Sequence, residues 1–83
     1  MKIELRYFAS LREQLGATET LEIADGLSAG GLRDLLLARG EPHASALARG
    51  RAIRCALNKQ LCSEDTLIPA GAELAFFPPV TGG

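Results

Sequence analysis

A segment that alternates apolar and polar residues opens this chain, a mostly apolar segment stands near its other end, and an apolar stripe at helical spacing lies between them. In residues 2–8, Ile3, Leu5 and Tyr7 share one face while Lys2, Glu4 and Arg6 share the other, the period of a half-buried strand. Glu73-Leu74-Ala75-Phe76-Phe77 reads as the last strand. Leu32, Leu35 and Leu36 fall at i, i+3 and i+4 of a helix predicted over residues 29–39 and form its buried stripe. At 83 residues the chain makes one domain. One main helix among several strands predicts an α+β, two-layer arrangement: a mixed sheet with the helix packed on one face. If the first and last strands are central neighbours, the C-terminal tail leaves from the middle of the sheet.

The remaining segments fill in this plan. Ser10-Leu11-Arg12-Glu13 has the form of a capping box, so a short helix is expected from Ser10, stopped by Gly16. Residues 19–23 alternate as a second strand, and Asp25-Gly26 is turn chemistry. Ser28 is the expected N-cap of the main helix, and Gly40 and Pro42 its end. Gly30-Gly31 lacks the spacing and the lysine of a phosphate-binding loop, and reads as a weakly formed helix start. Residues 43–48 suit a helical turn, Ala52 to Leu57 a third strand, and Asn58-Lys59-Gln60 a turn into a short strand near Leu61-Cys62. Thr66-Leu67-Ile68 reads as a short extended piece before a turn at Pro69-Ala70-Gly71.

Composition excludes several roles. A hydrophobic fraction of 47% with 23% charged residues is that of a globular chain. The net charge of −1 offers no basic field for a phosphate backbone, and Tyr7, Phe8, Phe76 and Phe77 are the only aromatics, so nucleic acid is not an expected partner. No apolar run approaches the ~18 residues of a membrane span. The N-terminal segment alternates and carries an acid, as a strand does and a signal peptide does not, which predicts a cytoplasmic protein. Arg49, Arg51 and Arg54 cluster, either as solvated surface or as a contact for an acidic partner. Cys55 alternates with Ile53 and Leu57 and is expected in the core, whereas Cys62 is the candidate exposed thiol. His43 is the only histidine, no metal-ligand cluster is present, and no catalytic triad can be assembled.

The chemistry is expected at the end of the chain, Pro78-Pro79-Val80-Thr81-Gly82-Gly83. Prolines stiffen an extended segment, and glycines without a Cβ pass where side chains would block. Six extended residues reach about 20 Å, enough to carry a terminal carboxylate into another protein. This divides the chain into a folded domain, 1–77, and a flexible tail, 78–83. The reactive group is then the α-carboxylate of Gly83, delivered by Gly82, Thr81, Val80, Pro79 and Pro78. Phe76 and Phe77 point to opposite faces of the last strand, so at most one is core and the other is a candidate docking anchor. Phe8, opposite the Ile3, Leu5 and Tyr7 face, is the further docking candidate.

With its Tyr-Phe-Ala and Leu-Arg-Glu segments near the start and its Phe76-Phe77-Pro78-Pro79-Val80-Thr81-Gly82-Gly83 ending, the chain resembles, over essentially its whole length, the molybdopterin synthase small-subunit (MoaD) family. The resemblance implies a β-grasp, ubiquitin-like fold and a non-catalytic sulfur-donor subunit whose catalytic pocket lies on a large subunit. It implies no permanently bound cofactor, but an E1-like adenylating enzyme that uses ATP and Mg²⁺ to activate Gly83. A sulfur donor of the cysteine desulfurase or rhodanese type would make the thiocarboxylate. The charged tail would then serve cyclic pyranopterin monophosphate within a heterotetramer of two small and two large subunits. Ubiquitin-like modifiers and sulfur carriers for thiamine thiazole or cysteine synthesis share the Gly-Gly end and remain alternatives.

Overall fold

The computed structural model describes residues 1–79. Five strands and three helices follow in the order β1 (Lys2–Tyr7), α1 (Ala9–Leu15), β2 (Thr18–Glu22), α2 (Ala29–Leu37), α3 (His43–Ala46), β3 (Arg54–Leu57), β4 (Gln60–Cys62) and β5 (Glu73–Phe77). The strands form one mixed sheet in the order β2-β1-β5-β3-β4. β1 and β5 run parallel through its centre, with Tyr7 opposite Phe76, and every other pairing is antiparallel. This is the β-grasp arrangement, and the first and last strands are indeed the central neighbours.

The inward residues of β1, Ile3, Leu5 and Tyr7, meet Leu74 and Phe76 of β5 and Leu32 and Leu36 of α2 in a single core. Each fully buried Leu, Ile or Phe contributes about 1.5–3 kcal/mol. Hydrophobic burial on the two central strands is therefore what sets their register, because a one-residue slip would turn this face to water.

The stripe on α2 differs from the leucine spacing. Ala29, Leu32, Arg33 and Leu36 are buried, whereas Leu35 is 53% exposed. Successive helical residues are rotated by about 100°. The covered face centres on Leu32, Leu36 and the Ala29–Arg33 side, and that rotation carries Leu35 out of it. Arg33 can take the inner position because its guanidinium is fully engaged. Nε donates to the Leu47 carbonyl at 2.8 Å, Nη2 to those of Ala48 at 2.6 Å and Arg51 at 3.2 Å, and Nη1 to Glu64 Oε2 at 2.8 Å. A single side chain thus ties residues 47–51 and the 62–66 segment to the helix.

Two helix starts also differ from the local signals. The capping box at Ser10 does not form: Phe8 holds the N-cap position of α1 without any side-chain cap bond, and Ser10 lies inside the helix. The Phe8 amide is still bonded to the Phe76 carbonyl, and Ala9 turns at once with φ +54°, so tertiary pairing starts the helix early. Gly16 does end it, with φ +94°.

The start of α2 is well formed rather than weak. Ala29 and Gly30 donate to the carbonyls of Thr66 (2.9 Å) and Glu64 (2.8 Å), and the Gly31 amide donates to Ser28 Oγ at 3.0 Å. Gly30 is glycine because the Glu64 segment lies against it. A Cβ there would meet Glu64 Oε1 at 2.9 Å, Cβ at 3.0 Å and the carbonyl oxygen at 3.2 Å. At Gly31 the near atoms are side-chain tips that can give way, Leu27 Cδ1 at 2.7 Å and Ser28 Oγ at 3.3 Å. Gly30→Ala is therefore expected to destabilise by about 1–2 kcal/mol, despite alanine's better helix propensity. Gly31→Ala should be neutral or slightly stabilising. Urea unfolding of both variants checks this, and equal effects would contradict it.

Candidate functional site

β5 lies third of five strands and is hydrogen-bonded on both sides, so the chain leaving Phe77 is anchored at its root. Pro78 and Pro79 follow, half-buried and outside regular structure. The tail positions expected to carry the chemistry, Val80, Thr81, Gly82 and Gly83, lie outside the described residues. What the described residues supply is the surface from which the tail departs.

That surface is the face of the sheet turned away from α2. Alternation places Arg54, Ala56, Leu61, Ala75 and Phe77 on it. Across the strands, Arg6, Ala75, Ala56 and Leu61 line up as one row, and Phe77 stands opposite Arg54 in the next row toward the tail. Phe8 extends the β1 side of that row, since its amide donates to the Phe76 carbonyl at 3.2 Å. Leu61 is 67% exposed and Phe8 44%, while Phe77 is half-buried. An apolar strip flanked by arginines therefore runs along the tail root.

Of the three phenylalanines expected as docking candidates, Phe76 is corrected. It is fully buried, opposite Tyr7 on one side and Cys55 on the other, as part of the core between sheet and helix. Phe77 and Phe8 stay on the outer face. Leu61 joins them, a residue the sequence reading placed in a strand without a role. Its facing follows from Cys62 pointing inward opposite Cys55 on the partner strand.

The other side chains singled out in the sequence are committed elsewhere. Arg49 is not an open contact for an acidic partner. It donates to Asp34 Oδ1 at 2.7 Å, to the Gly30 carbonyl at 2.9 Å and to Glu64 Oε1. Burial raises the Tyr7 hydroxyl to about 12, with the nearby Glu19 charge adding to the effect, so Tyr7 stays protonated. His43 packs its ring edge-on to Tyr7 at 6.4 Å between centroids. Among the described residues no group of three or more His, Cys, Asp or Glu is placed to hold a metal ion. No helix among them is long and apolar enough to cross a membrane.

Comparison with known proteins places this chain in a family. The chain is 40% identical over 81 residues to the molybdopterin synthase sulfur carrier subunit of Escherichia coli (strain K12), covering 98% of this chain and 99% of that one. It superposes on H. volcanii small archaeal modifier protein 1 with a TM-score of 0.74 at 26% identity, covering 95% of this chain and 98% of the other. It also matches a chain in the complex of subunits 1 and 2 of molybdopterin-converting factor from Helicobacter pylori 26695, with a TM-score of 0.68 at 25% identity and full coverage of both. Residues 5–83 match the ThiS family, and the chain belongs to it.

Proposed function

We propose that this protein is the sulfur-carrier small subunit of a molybdopterin synthase and that its working group is the Gly83 carboxylate. The observation that carries the reading is the 40% identity, over 98% of this chain, with a molybdopterin synthase sulfur carrier subunit, in a sequence that runs from a central strand to a Gly82-Gly83 end. A carboxylate is a poor electrophile because it is anionic. An E1-like enzyme with ATP and Mg²⁺ would solve this: a Gly83 oxygen attacks the α-phosphorus, pyrophosphate leaves, and the acyl-adenylate carries a good leaving group. The outer sulfur of a persulfide-type donor then attacks the acyl carbon and expels AMP, and a thiol of the donor system cleaves the resulting acyl disulfide, forming a disulfide with the donor sulfur and releasing the thiocarboxylate. The tail carries that sulfur into the large subunit, where cyclic pyranopterin monophosphate accepts it. Stabilisation of the oxyanion and proton handling belong to the partners, whose sites close around the two glycines.

The arginine-flanked strip of Phe8, Phe77 and Leu61 is the docking surface in this reading, since it adjoins the tail root. Support comes from the likeness to a chain solved in complex with a second converting-factor subunit. Phe77→Ala and Leu61→Asp are each expected to weaken binding to a molybdopterin synthase large subunit at least about tenfold, with the fold retained. Calorimetric titration reads the affinity, and circular dichroism the fold. Unchanged affinity in both variants would remove the surface from the account, and no complex with any large subunit would remove the synthase reading.

The likeness to a small archaeal modifier protein supports a second reading, in which activated Gly83 is joined to lysines of other proteins. Adenylation is common to both readings, so they separate at the acceptor: sulfur in one, an amine in the other.

A further inference from the structure

Cys55 and Cys62 are the only cysteines of the chain, and the fold sets them face to face. They are Cα partners on the antiparallel strands β3 and β4. Both side chains lie on the helix-facing side of the sheet, with the sulfurs 3.6 Å apart and both thiols free. The Cys62 S–H points at Cys55 Sγ, and the Cys55 S–H points at the Cys62 carbonyl oxygen at 3.5 Å. Paired residues of an antiparallel ladder have Cα atoms about 4.5–5.5 Å apart. That separation falls within the range of about 4.4–6.8 Å that a disulfide spans. The backbone is therefore already in place, and side-chain rotation alone has to close the gap. The register is held by the two-residue turn at Asn58 and Lys59, both with positive φ, which is the geometry of a tight hairpin.

The two thiols differ in access. Cys55 is 3% exposed, and burial together with its hydrogen bond to Cys62 pushes its thiol up to about 12. Cys62 is half-buried on β4, the outermost strand. An incoming oxidant thus meets Cys62 first, and Cys55 stands behind it.

We propose that Cys55 and Cys62 form a redox-modification site, a dithiol that an oxidant of the hydroperoxide class converts to a cross-strand disulfide. In the first step the deprotonated Cys62 sulfur attacks a peroxide oxygen. The O–O bond breaks, and a sulfenic acid and one water (an alcohol, from an organic hydroperoxide) are formed. In the second, the Cys55 sulfur displaces the hydroxyl of the sulfenic acid; the S–S bond forms and a water leaves with the Cys55 proton. The thiols together lose two electrons and two protons, and the peroxide takes up both. The product closes the open end of the β3–β4 hairpin and holds in place the edge strand that displays Leu61.

The test is treatment of the purified full chain with hydrogen peroxide, followed by alkylation of free thiols, intact mass and peptide mapping. The expected result is loss of two hydrogens, a linked peptide pair containing Cys55 and Cys62, no alkylation, and full reversal by dithiothreitol. The oxidised form should melt higher by at least roughly 5 °C. Cys55→Ser should leave a sulfenic acid on Cys62 that dimedone traps. Cys62→Ser, which keeps the core cysteine, should form no disulfide and leave Cys55 unmodified. An unchanged wild-type chain, oxygen added to Cys62 without a linked pair, or disulfides only between chains would each overturn the proposal.

Discussion

Gly82→Val is expected to lower the rate of Gly83 thiocarboxylation by about 100-fold or more while leaving the melting temperature unchanged. Among the described residues the core and the sheet draw on none beyond Phe77, and the melting temperature is expected to follow that core. The partners, by contrast, must bring an α-phosphate, then a sulfur donor, then a pterin to the carbonyl carbon of the next residue. A branched side chain one residue away displaces that carbon from the enclosing site, and displacements of an ångström are costly when reacting atoms must meet. Gly82→Ala should show a smaller loss, because only one methyl is added. Mass spectrometry of the C-terminal peptide after incubation with the activating enzyme, ATP and a sulfur source quantifies the charged fraction. Normal charging together with normal synthase activity in Gly82→Val would contradict the enclosed-tail account.

Arg33→Ala is expected to destabilise the domain by about 3–5 kcal/mol. A chain of this length has roughly 4–12 kcal/mol in total, so the variant should sit near the edge of folding. Arg33 is 3% exposed, and its removal leaves the carbonyls of Leu47 and Arg51 without their donor inside the protein and that of Ala48 with the Arg51 amide alone. Arg33→Lys should also be destabilised, because one ammonium cannot reproduce a planar fork that serves three carbonyls and a carboxylate. Urea unfolding measures both variants, and a loss below about 1 kcal/mol for alanine would show that the network is dispensable.

Glu64 extends the same network and gives it a pH dependence. Burial raises its carboxyl, but the hydrogen bonds and charges of Arg49 and Arg33 outweigh burial and hold it below the ordinary value of 4.5. A carboxylate whose pKa is depressed by folding contributes stability that is complete above the unfolded value and is lost as pH falls through the folded one. Stability should therefore decline as pH drops through 4.5 and below, and Glu64→Gln should flatten that decline. A wild-type acid limb unchanged by Glu64→Gln would contradict the assignment.

The parts of the fold legible in the sequence are those whose physics is local and periodic. Ile3, Leu5 and Tyr7 announce their strand because one face of it is buried and the other is not. Ser28 announces its helix because a cap acts within three residues. Arg33 was hidden for the opposite reason. A charged residue in an amphipathic pattern reads as solvent-facing, and the carbonyls that allow its burial come from residues 47–51, beyond the local pattern. Leu35 took its place in the stripe by spacing alone. Gly30 likewise answers to Glu64, whose approach exists only after folding, and Ser10 lost its cap to the pairing of Phe8 with Phe76. In the candidate site, alternation showed that Phe76 and Phe77 face opposite ways without showing which is outward, and Phe8 was legible from it. Leu61 was not, because a three-residue strand gives too short a pattern to assign a face with no partner strand in view. The tail carries its meaning in composition: two prolines and two glycines at a terminus restrict what the segment can do.

The most direct test of the central claim is the mass of the protein isolated from its native cells, with fragmentation of its C-terminal peptide. The account predicts a population in which one Gly83 carboxylate oxygen is replaced by sulfur, and which reverts to the carboxylate when a large subunit and the pterin acceptor are supplied. Gly83 found instead in isopeptide linkage to lysines of many different proteins, with no sulfur at the terminus even after reconstitution with ATP, activating enzyme and sulfur donor, would contradict it.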